Sequence, residues 1–583
     1  MMCIFGWSID AKERFRVAMK ESMTRTLDSW RVDVVAGLLS FLLFAPAARY
    51  GLVNFDDWGY VLAPEVRAGF TVGGVGWAFT TFAQGNWHPL TWLSYMVDVA
   101  VFGGSPAAHH LVNAALHGVV VALVSSLLRP LGVRGAVRLI VALWFGLHPL
   151  RVESVVWISE RKDLLCALFY LLTIVAWARF VRSGRFGDVA LAVVAGMLAA
   201  LAKPMAVTLP IALVIITLWP LRHLRADSGR PWVRVSVRSM AVALAPFAAL
   251  SVALSLVTMH AQHRALQAGE PLSLPARIEN ATVALARYLE NLVAPHDLAV
   301  LYGRPVDGWP AAVVVVSVVV VVAAVVVPAL LWRRQPVLLA AAAWFVALLL
   351  PVLGIVQIGL ASRADRYTYL PAVGLTVVLS LLLDRQWDAR RRVIAPAAAV
   401  ILCALSAVTV AQSQVWATSW DLFQNTVIVE PDNGNARTYL AGIALAAGDL
   451  AGAESEARGA ITVRPRSAFA RLMLGRVLVR QGRFAEAAAE LRQAVHLSPA
   501  SVEARLYLAA ALLPLGEPHE AVAALDAADE IGGGDDKAHR AAGLALLAVG
   551  ELEAARPHLE FAARTLTQDA GLRAALERVA EHP

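Results

Sequence analysis

Residues Gly482–Pro499 read GRFAEAAAELRQAVHLSP, and three positions in this stretch recur along the chain at one interval. Gly448, Gly482, Gly516 and Gly550 are spaced 34 residues apart. Ala453, Ala487, Ala521 and Ala555 keep the same step, as do Pro431, Pro465 and Pro499. Gly and Ala let two helices approach closely, and Pro ends the second helix of a unit because it cannot continue the hydrogen-bond ladder. A chance alanine-rich bundle would not hold three independent positions to one period.

A 34-residue unit of paired helices is the tetratricopeptide pattern. Four helix pairs fit into 433–568, and Gly571–Glu581 suits a capping helix. Upstream of residue 420 the composition is different. The 583-residue chain is 58% hydrophobic and only 16% charged, with a mean hydropathy of +0.61, which places it in the polytopic membrane class. Apolar segments of spanning length lie near 32–49, 108–128, 136–150, 163–181, 188–203, 205–221, 236–259, 310–332, 337–353, 367–384 and 393–411. The expected fold class is therefore all-α: a polytopic membrane helix bundle of about eleven spans, followed by a tetratricopeptide-repeat α-solenoid. The expected domains are a basic N-terminal segment (1–30), a membrane domain (31–415) and a repeat domain (420–583).

Charge between the spans sets the orientation. Lys12, Arg14, Arg16 and Lys20 make the N-terminus basic and cytoplasmic, and the first span then acts as an uncleaved anchor. Alternation places Arg129/Arg134/Arg138, Arg179/Arg182/Arg185, Arg222/Arg225, Arg333/Arg334 and Arg385/Arg390/Arg391/Arg392 on that same side. The segment Ala276–Val293 carries Arg277, Glu279, Arg287 and Glu290, and counting it as a crossing would flip the last two groups. It is read as a re-entrant or surface helix, and Pro89–Phe102 as a helix along the interface. The repeats then lie outside the cytoplasm, and the protein is expected in a bacterial inner membrane. The formal net charge of +7 comes from Arg residues beside spans, so nucleic acid is not an expected partner. Cys3, Cys166 and Cys403 make neither a disulfide framework nor a metal-binding CxxC.

Five polar features fall on the outer face. They are Asp56-Asp57, Asn86-Trp87-His88-Pro89-Leu90, His148-Pro149-Leu150-Arg151-Val152-Glu153-Ser154, Glu160-Arg161-Lys162-Asp163 and Arg363-Ala364-Asp365-Arg366-Tyr367-Thr368-Tyr369-Leu370-Pro371. A sugar on a lipid phosphate is already activated. Its transfer to a hydroxyl needs a base for the acceptor and cations for the departing phosphate. Two neighbouring carboxylates raise the proton affinity of one of them, which suits a base, and Arg161, Lys162, Arg363 and Arg366 supply cations. If 150–163 is helical, Glu153 and Glu160 share a face. Each feature also has a plainer reading. The aspartates could hydrate a span end, His88-Pro89 and His148-Pro149 could be helix punctuation, and Arg161 and Lys162 could snorkel to the interface. Lys203-Pro204 is a further outward cation. His109, His110 and His117 are expected to pack or hydrogen-bond within the bundle.

The order of these motifs resembles one family. An acidic pair in the first outer loop is followed by a His-Pro-x-x-x-Glu-Ser segment and an Arg-x-Asp-Leu-Leu span entry. Arg-Tyr-x-Tyr-Leu-Pro and tetratricopeptide repeats come after them. The chain is similar in this to the transmembrane and tetratricopeptide-repeat O-mannosyltransferases and their bacterial relatives, and more distantly to the protein O-mannosyltransferases of the C-type glycosyltransferase superfold. The resemblance implies a polyprenyl-phosphate sugar donor, mannose in that family, and a Ser or Thr acceptor on an extracytoplasmic protein. By motif match the resemblance makes Asp56 the leading base and Asp57 its neighbour, with the division of labour between them open, Glu153 the second acidic position, and Arg161 and Asp163 part of the loop that follows. His88, His148, Lys162, Arg363, Arg366 and Tyr367 complete the expected substrate-binding set. The chain departs from the pattern in having Lys162 between Arg161 and Asp163, and in its short repeat array.

Two other readings remain open on sequence. One is transfer of a lipid-linked sugar to a lipid or surface polysaccharide. The other is a non-catalytic membrane-anchored scaffold. No organic cofactor is expected; outward carboxylates could hold a divalent cation through oxygen ligands, but no ligand set is spelled out. Membrane lipids are expected partners throughout.

Overall fold

The computed structural model describes residues 30–221, 235–267, 272–305, 308–355, 361–531, 536–548, 550–563 and 569–580. The basic N-terminal segment, Cys3 and the Arg222/Arg225 pair lie outside these residues. Among the described residues the chain is helix and connecting loop with no strand, and it divides into two compact units. The first comprises Met1–Val300 and Gly308–Leu422, the second Leu301–Asp307 and Phe423–Pro583.

In the first unit α1 is Trp30–Arg49. It is followed by α2 (Pro89–Phe102), α3 (Pro106–Leu127), α4 (Gly135–Gly146), α5 (Val152–Val156), α6 (Arg161–Ser183), α7 (Phe186–Ala202), α8 (Leu209–Ile216), α9 (Val237–Gln267), α10 (Leu274–Val293), α11 (Ala311–Leu330), α12 (Pro336–Leu349) and α13 (Ala372–Gln414). Seven helices among the described residues are long and apolar enough to cross a membrane. The pair Gly135–Gly146 and Pro149–Val156, bent by 57°, makes an eighth if it counts as one span. Phe186–Ala202 and Pro336–Val352 are shorter apolar helices. Large apolar side chains such as Val315, Val319, Val400 and Ile401 face outward, as a lipid-facing surface requires. The molecule is an integral membrane protein.

α13 is one helical run of 43 residues, and a straight helix of that length would extend about 65 Å. Its contacts exclude a straight course. Tyr369, just before it, packs its ring 5.5 Å from that of Phe145. Asp384 accepts from the backbone of Arg134 at 3.1 Å. The Thr409 hydroxyl donates to Leu147 at 2.7 Å. The run thus passes from one end of α4 to the other and back, reversing between Asp384 and Thr409, and it accounts for the two apolar segments expected at 367–384 and 393–411.

Close approach elsewhere relies on missing side chains. A Cβ on Gly37 would meet the Gly118 carbonyl oxygen at 2.4 Å, and one on Gly118 would meet that of Gly37 at 2.7 Å, so α1 and α3 touch backbone to backbone. Next to this contact Asp33 is buried, accepting from Ser125 at 2.5 Å and pairing with Arg129 and Arg138.

One expectation fails. Residues 150–163 are not one helix: α5 ends at Val156, and Trp157 is extended (φ −71°, ψ 114°) before a 3-10 turn at Ile158–Glu160 and the start of α6. Glu153 and Glu160 therefore share no helix face. They are brought together across the break by a common partner.

The second unit contains α14 (Gly434–Ala447), α15 (Leu450–Val463), α16 (Ala468–Arg480), α17 (Phe484–Leu497), α18 (Val502–Leu512), α19 (Pro518–Glu530), α20 (Asp536–Ala548), α21 (Leu552–Ala563) and α22 (Ala570–Ala580). The 34-residue period has a structural cause at each position. Gly448, Gly482, Gly516 and Gly550 have φ of 82°, 75°, 75° and 86°, the left-handed conformation that closes the first helix of each pair. Ala453, Ala487, Ala521 and Ala555 are wholly buried between paired helices. Asn433, Ser467 and Ser501 cap the first helices by accepting from the backbone three residues on. The stretch Leu301–Asp307, between α10 and α11 in sequence, belongs to this unit. Asn433 donates to the Leu301 carbonyl at 2.7 Å, and Gly303 donates to Glu430 at 2.7 Å.

Candidate active site

The loop after α1 carries Asp56 and Asp57, and the structure separates them. Asp57 is buried. Its carboxylate accepts from the backbone of Val53 at 3.1 Å, and from the backbone and hydroxyl of Ser159 at 2.9 and 2.5 Å. It ties its own loop to the turn before α6. Burial raises its pKa to about 6 despite those three bonds. Asp56 makes no side-chain hydrogen bond or ion pair among the described residues. Phe55 stacks on Trp157 with ring centroids 5.0 Å apart, which fixes the backbone beside it. Burial raises the Asp56 pKa, Lys162 and Arg366 lower it, and Glu160 raises it again. Asp56 is the uncommitted carboxylate, and Asp57 is the one built into the loop.

Around Glu160 three cations converge. Lys162 lies 3.1 Å from one carboxylate oxygen and Lys203 lies 2.9 Å from the other, with the Arg366 Nε 3.3 Å away. Arg366 also pairs with Glu153 through its guanidinium, and through its backbone N–H at 2.8 Å. Lys203 reaches Asp163 at 2.5 Å, and Asp163 accepts from Ser154 at 3.1 Å. Three cations and three carboxylates thus form one buried network. Aromatic faces enclose it: Lys162 lies over Tyr60 at 5.0 Å and Trp157 at 5.7 Å, and Arg366 over Trp157 at 5.3 Å and Tyr367 at 4.9 Å. A small cavity opens beside Asp163, Arg366 and Tyr367.

Several buried polar atoms here lack partners among the described residues. They include the Tyr60 hydroxyl, both ring nitrogens of His88 and the Trp157 Nε1. His88 packs against both Tyr60 and Trp92, with ring centroids 5.3 and 5.4 Å away. Burial, then the charge on Lys162, lowers its pKa well below the ordinary histidine value, so the ring is neutral. An unpaired buried donor or acceptor costs about 1–3 kcal/mol, a cost that a polyhydroxyl ligand would remove.

The remaining expected residues lie elsewhere. Arg161 is wholly buried, bonding Asp98 at 2.5 Å, Asn113 at 2.8 Å and the His109 carbonyl at 3.0 Å, so it pins α2 and α3 to α6. His148 accepts from Leu150 N and faces the Leu292 carbonyl at 3.2 Å, which is the punctuation role plus a tie to α10. Arg363 lies near Tyr288, whose hydroxyl accepts from Ala364 N at 3.1 Å. His109, His110 and His117 are buried within the bundle. In sequence Lys203 reads only as one more outward cation. Its signal is a charge at the one-residue break between apolar helices, where α7 ends and Pro204 begins the next turn.

Among the described residues no group of three or more His, Cys, Asp or Glu side chains is placed to hold a metal ion. Glu153, Glu160 and Asp163 are each taken up by Lys or Arg, so they do not fit a divalent cation, and no step below passes through one.

Residues 472–536 match the tetratricopeptide repeat family. Protein O-mannosyl-transferase Tmtc1 of Drosophila melanogaster is 29% identical over 204 residues, covering 32% of this chain and 23% of the relative. The chain is similar to the protein O-mannosyl-transferases. Tmtc2 of the same organism is 33% identical over 159 residues, covering 26% of this chain and 17% of the relative. A solved tetratricopeptide protein of Thermus thermophilus is 21% identical, covering 28% of this chain and 89% of its own, with a TM-score of 0.23. The resemblance read from motif order is borne out by the mannosyl-transferase relatives, of whose own length the chain spans less than a quarter.

Proposed function

We propose that the protein is a membrane glycosyltransferase. It moves a sugar, mannose by likeness to its relatives, from a polyprenyl-phosphate donor to Ser or Thr hydroxyls of extracytoplasmic proteins. The observation that carries this reading is one uncommitted carboxylate, Asp56, within electrostatic reach of Lys162 and Arg366 in a buried cluster that also holds Lys203.

The division of labour follows from the contacts. Asp56 takes the proton from the acceptor hydroxyl, whose oxygen attacks the anomeric carbon. The bond from that carbon to the phosphate oxygen breaks, and the phosphate departs with the lipid. Lys162, Lys203 and Arg366 stabilise the charge on the leaving phosphate, with Arg offering a fork and Lys a compact charge. Glu160, Glu153 and Asp163 hold these cations in place before the donor arrives. Attack from the side opposite the phosphate inverts the anomeric centre. His88 and Tyr60 are suited to sugar hydroxyls, and the repeats to the protein acceptor, since stacked helix pairs present extended binding surfaces.

The test is transfer by purified protein from polyprenyl-phosphate mannose to a Ser/Thr peptide. Arg366→Lys, which keeps a charge beside Glu153 and Glu160 but removes the guanidinium fork, should strongly reduce transfer with little change in melting temperature. Undiminished transfer by that variant would overturn the leaving-group assignment. Glycosylated lipid with no modified protein in membranes would instead favour a lipid or polysaccharide acceptor.

A further inference from the structure

A second cavity, of about 350 Å³, lies between α3, α6, α8, α12 and α13. Ile174, Ala178, Ile216, Trp219 and Trp344 are part of its wall, and Arg182 is the one charged side chain in it among the described residues. Apolar cavities of about 150 Å³ already stay dry and take small hydrocarbons. In a lipid bilayer this one would be filled by hydrocarbon from the surroundings.

The position of Arg182 says which lipid. It lies 19 residues after Asp163 on α6, about 29 Å along the helix, close to the thickness of a bilayer's hydrocarbon core. Arg182 is thus at the opposite end of the span from the Lys203–Asp163 pair. Arg129, Arg134 and Arg138 mark the same end on the neighbouring elements. A donor whose phosphate sits at Lys203 cannot also place a phosphate at Arg182. Basic residues at one end of a bundle face the anionic leaflet, and basic sites between spans select anionic headgroups.

We propose that this cavity binds an anionic phospholipid of the leaflet facing the basic loops, with an acyl chain inside and its phosphate at Arg182. The site is independent of sugar transfer and uses none of the residues assigned to it.

The experiment uses the full chain in nanodiscs of phosphatidylglycerol and phosphatidylcholine, with native mass spectrometry counting lipids retained after transfer to detergent. Wild type should retain one phosphatidylglycerol. Arg182→Gln should weaken that retention about fivefold, the effect of about one surface charge, with phosphatidylcholine unchanged. Ala178→Phe, which fills the cavity, should remove both. A second readout does not depend on that variant folding. Phosphatidylglycerol brominated on its acyl chains should quench a fluorescence component that disappears in Trp219→Phe. Equal phosphatidylglycerol retention by wild type and Arg182→Gln would overturn the proposal, as would unquenched Trp219. Retention of added polyprenyl phosphate in place of phosphatidylglycerol would also overturn it.

Discussion

Asp56 and Asp57 are adjacent in sequence and opposite in surroundings, and the difference is a count of donors. Asp57 faces three, from Val53 and Ser159, while Asp56 faces none and feels cations instead. Asp56→Asn should lower transfer by roughly 100-fold or more, the usual weight of a general base, with little change in melting temperature. Asp57→Asn cannot accept all three bonds and should destabilise the fold by about 1–3 kcal/mol. Assay of the two variants for transfer and for melting separates the roles, and the reverse pattern would exchange them. A base works only when ionised, so activity should be lost as pH falls through the Asp56 pKa. Because burial raises that pKa, the loss should begin above the range of an ordinary aspartate, and it should shift to higher pH in Lys162→Met, which removes the stronger of the two lowering charges. A pH–rate profile of the two proteins checks this. The acidic pair was visible in the sequence as a unit, but its division was not, because the deciding donors on Ser159 are 102 residues away. Lys203 was hidden for the same reason. A lysine between two apolar helices reads as a span end until folding carries it to Glu160 and Asp163.

At the scale of elements, the repeats were legible because each recurring residue answers a local demand: a left-handed cap, a close helix approach, or a helix stop. What the period did not reveal is how the fourth unit differs from the first two. Arg437 pairs with Glu456 at 3.1 Å, and Arg471 with Glu490 at 2.6 Å. The equivalent positions in the fourth pair are His539 and His558, both buried, with their Nδ1 atoms 2.8 Å apart. Asp529 of α19 faces the other nitrogen of His539 at 3.1 Å, Asp526 also acts on His558, and Phe561 packs on His539 at 4.3 Å. Burial, then His539, lowers the His558 pKa. A histidine of lowered pKa binds fewer protons folded than unfolded, so its stability is present above the unfolded value of about 6.5. That stability is lost as pH falls from there through the native pKa. Protection factors for hydrogen exchange in α20 and α21, taken relative to the intrinsic rate at each pH, should therefore fall between pH 7 and 5, while α14–α17 keep theirs. His539→Arg with His558→Glu introduces the ion pair of the first two repeats and should abolish the effect. Equal acid sensitivity in that double variant would remove the histidine pair as its cause. The break at Trp157 was illegible for a different reason. Residues 150–163 have an acceptable helical pattern, and only the stacking of Trp157 between Phe55 and Trp416 explains why the backbone turns there.

For the whole molecule, the open question is orientation, and two kinds of argument bear on it. Arg129, Arg134, Arg138, Arg182, Arg333, Arg334 and the Arg385–Arg392 group fall on one face by alternation, which the positive-inside rule makes cytoplasmic. Alternation holds only if α13 crosses twice, and its reversal between Asp384 and Thr409 supplies the second crossing. Without it the repeats would emerge on the side of the arginines. Independently, Leu301–Asp307, which sequence alternation places outside, hydrogen-bonds Glu430 and Asn433 at the start of the repeats. A loop and a domain that bond each other share one side of a bilayer. Both lines accord with the proposed extracytoplasmic placement of the repeats. In a background with Cys3, Cys166 and Cys403 replaced by Ser, Gln493→Cys lies on exposed repeat surface and Arg334→Cys on an exposed loop of the opposite face. A membrane-impermeant maleimide applied to intact spheroplasts should label Gln493→Cys and leave Arg334→Cys unlabelled until the membrane is permeabilised. The opposite pattern would turn the bundle over. It would place Asp56 in the cytoplasm, and with it would go the extracytoplasmic acceptor and the assignment of the Arg182 site to the cytoplasmic leaflet.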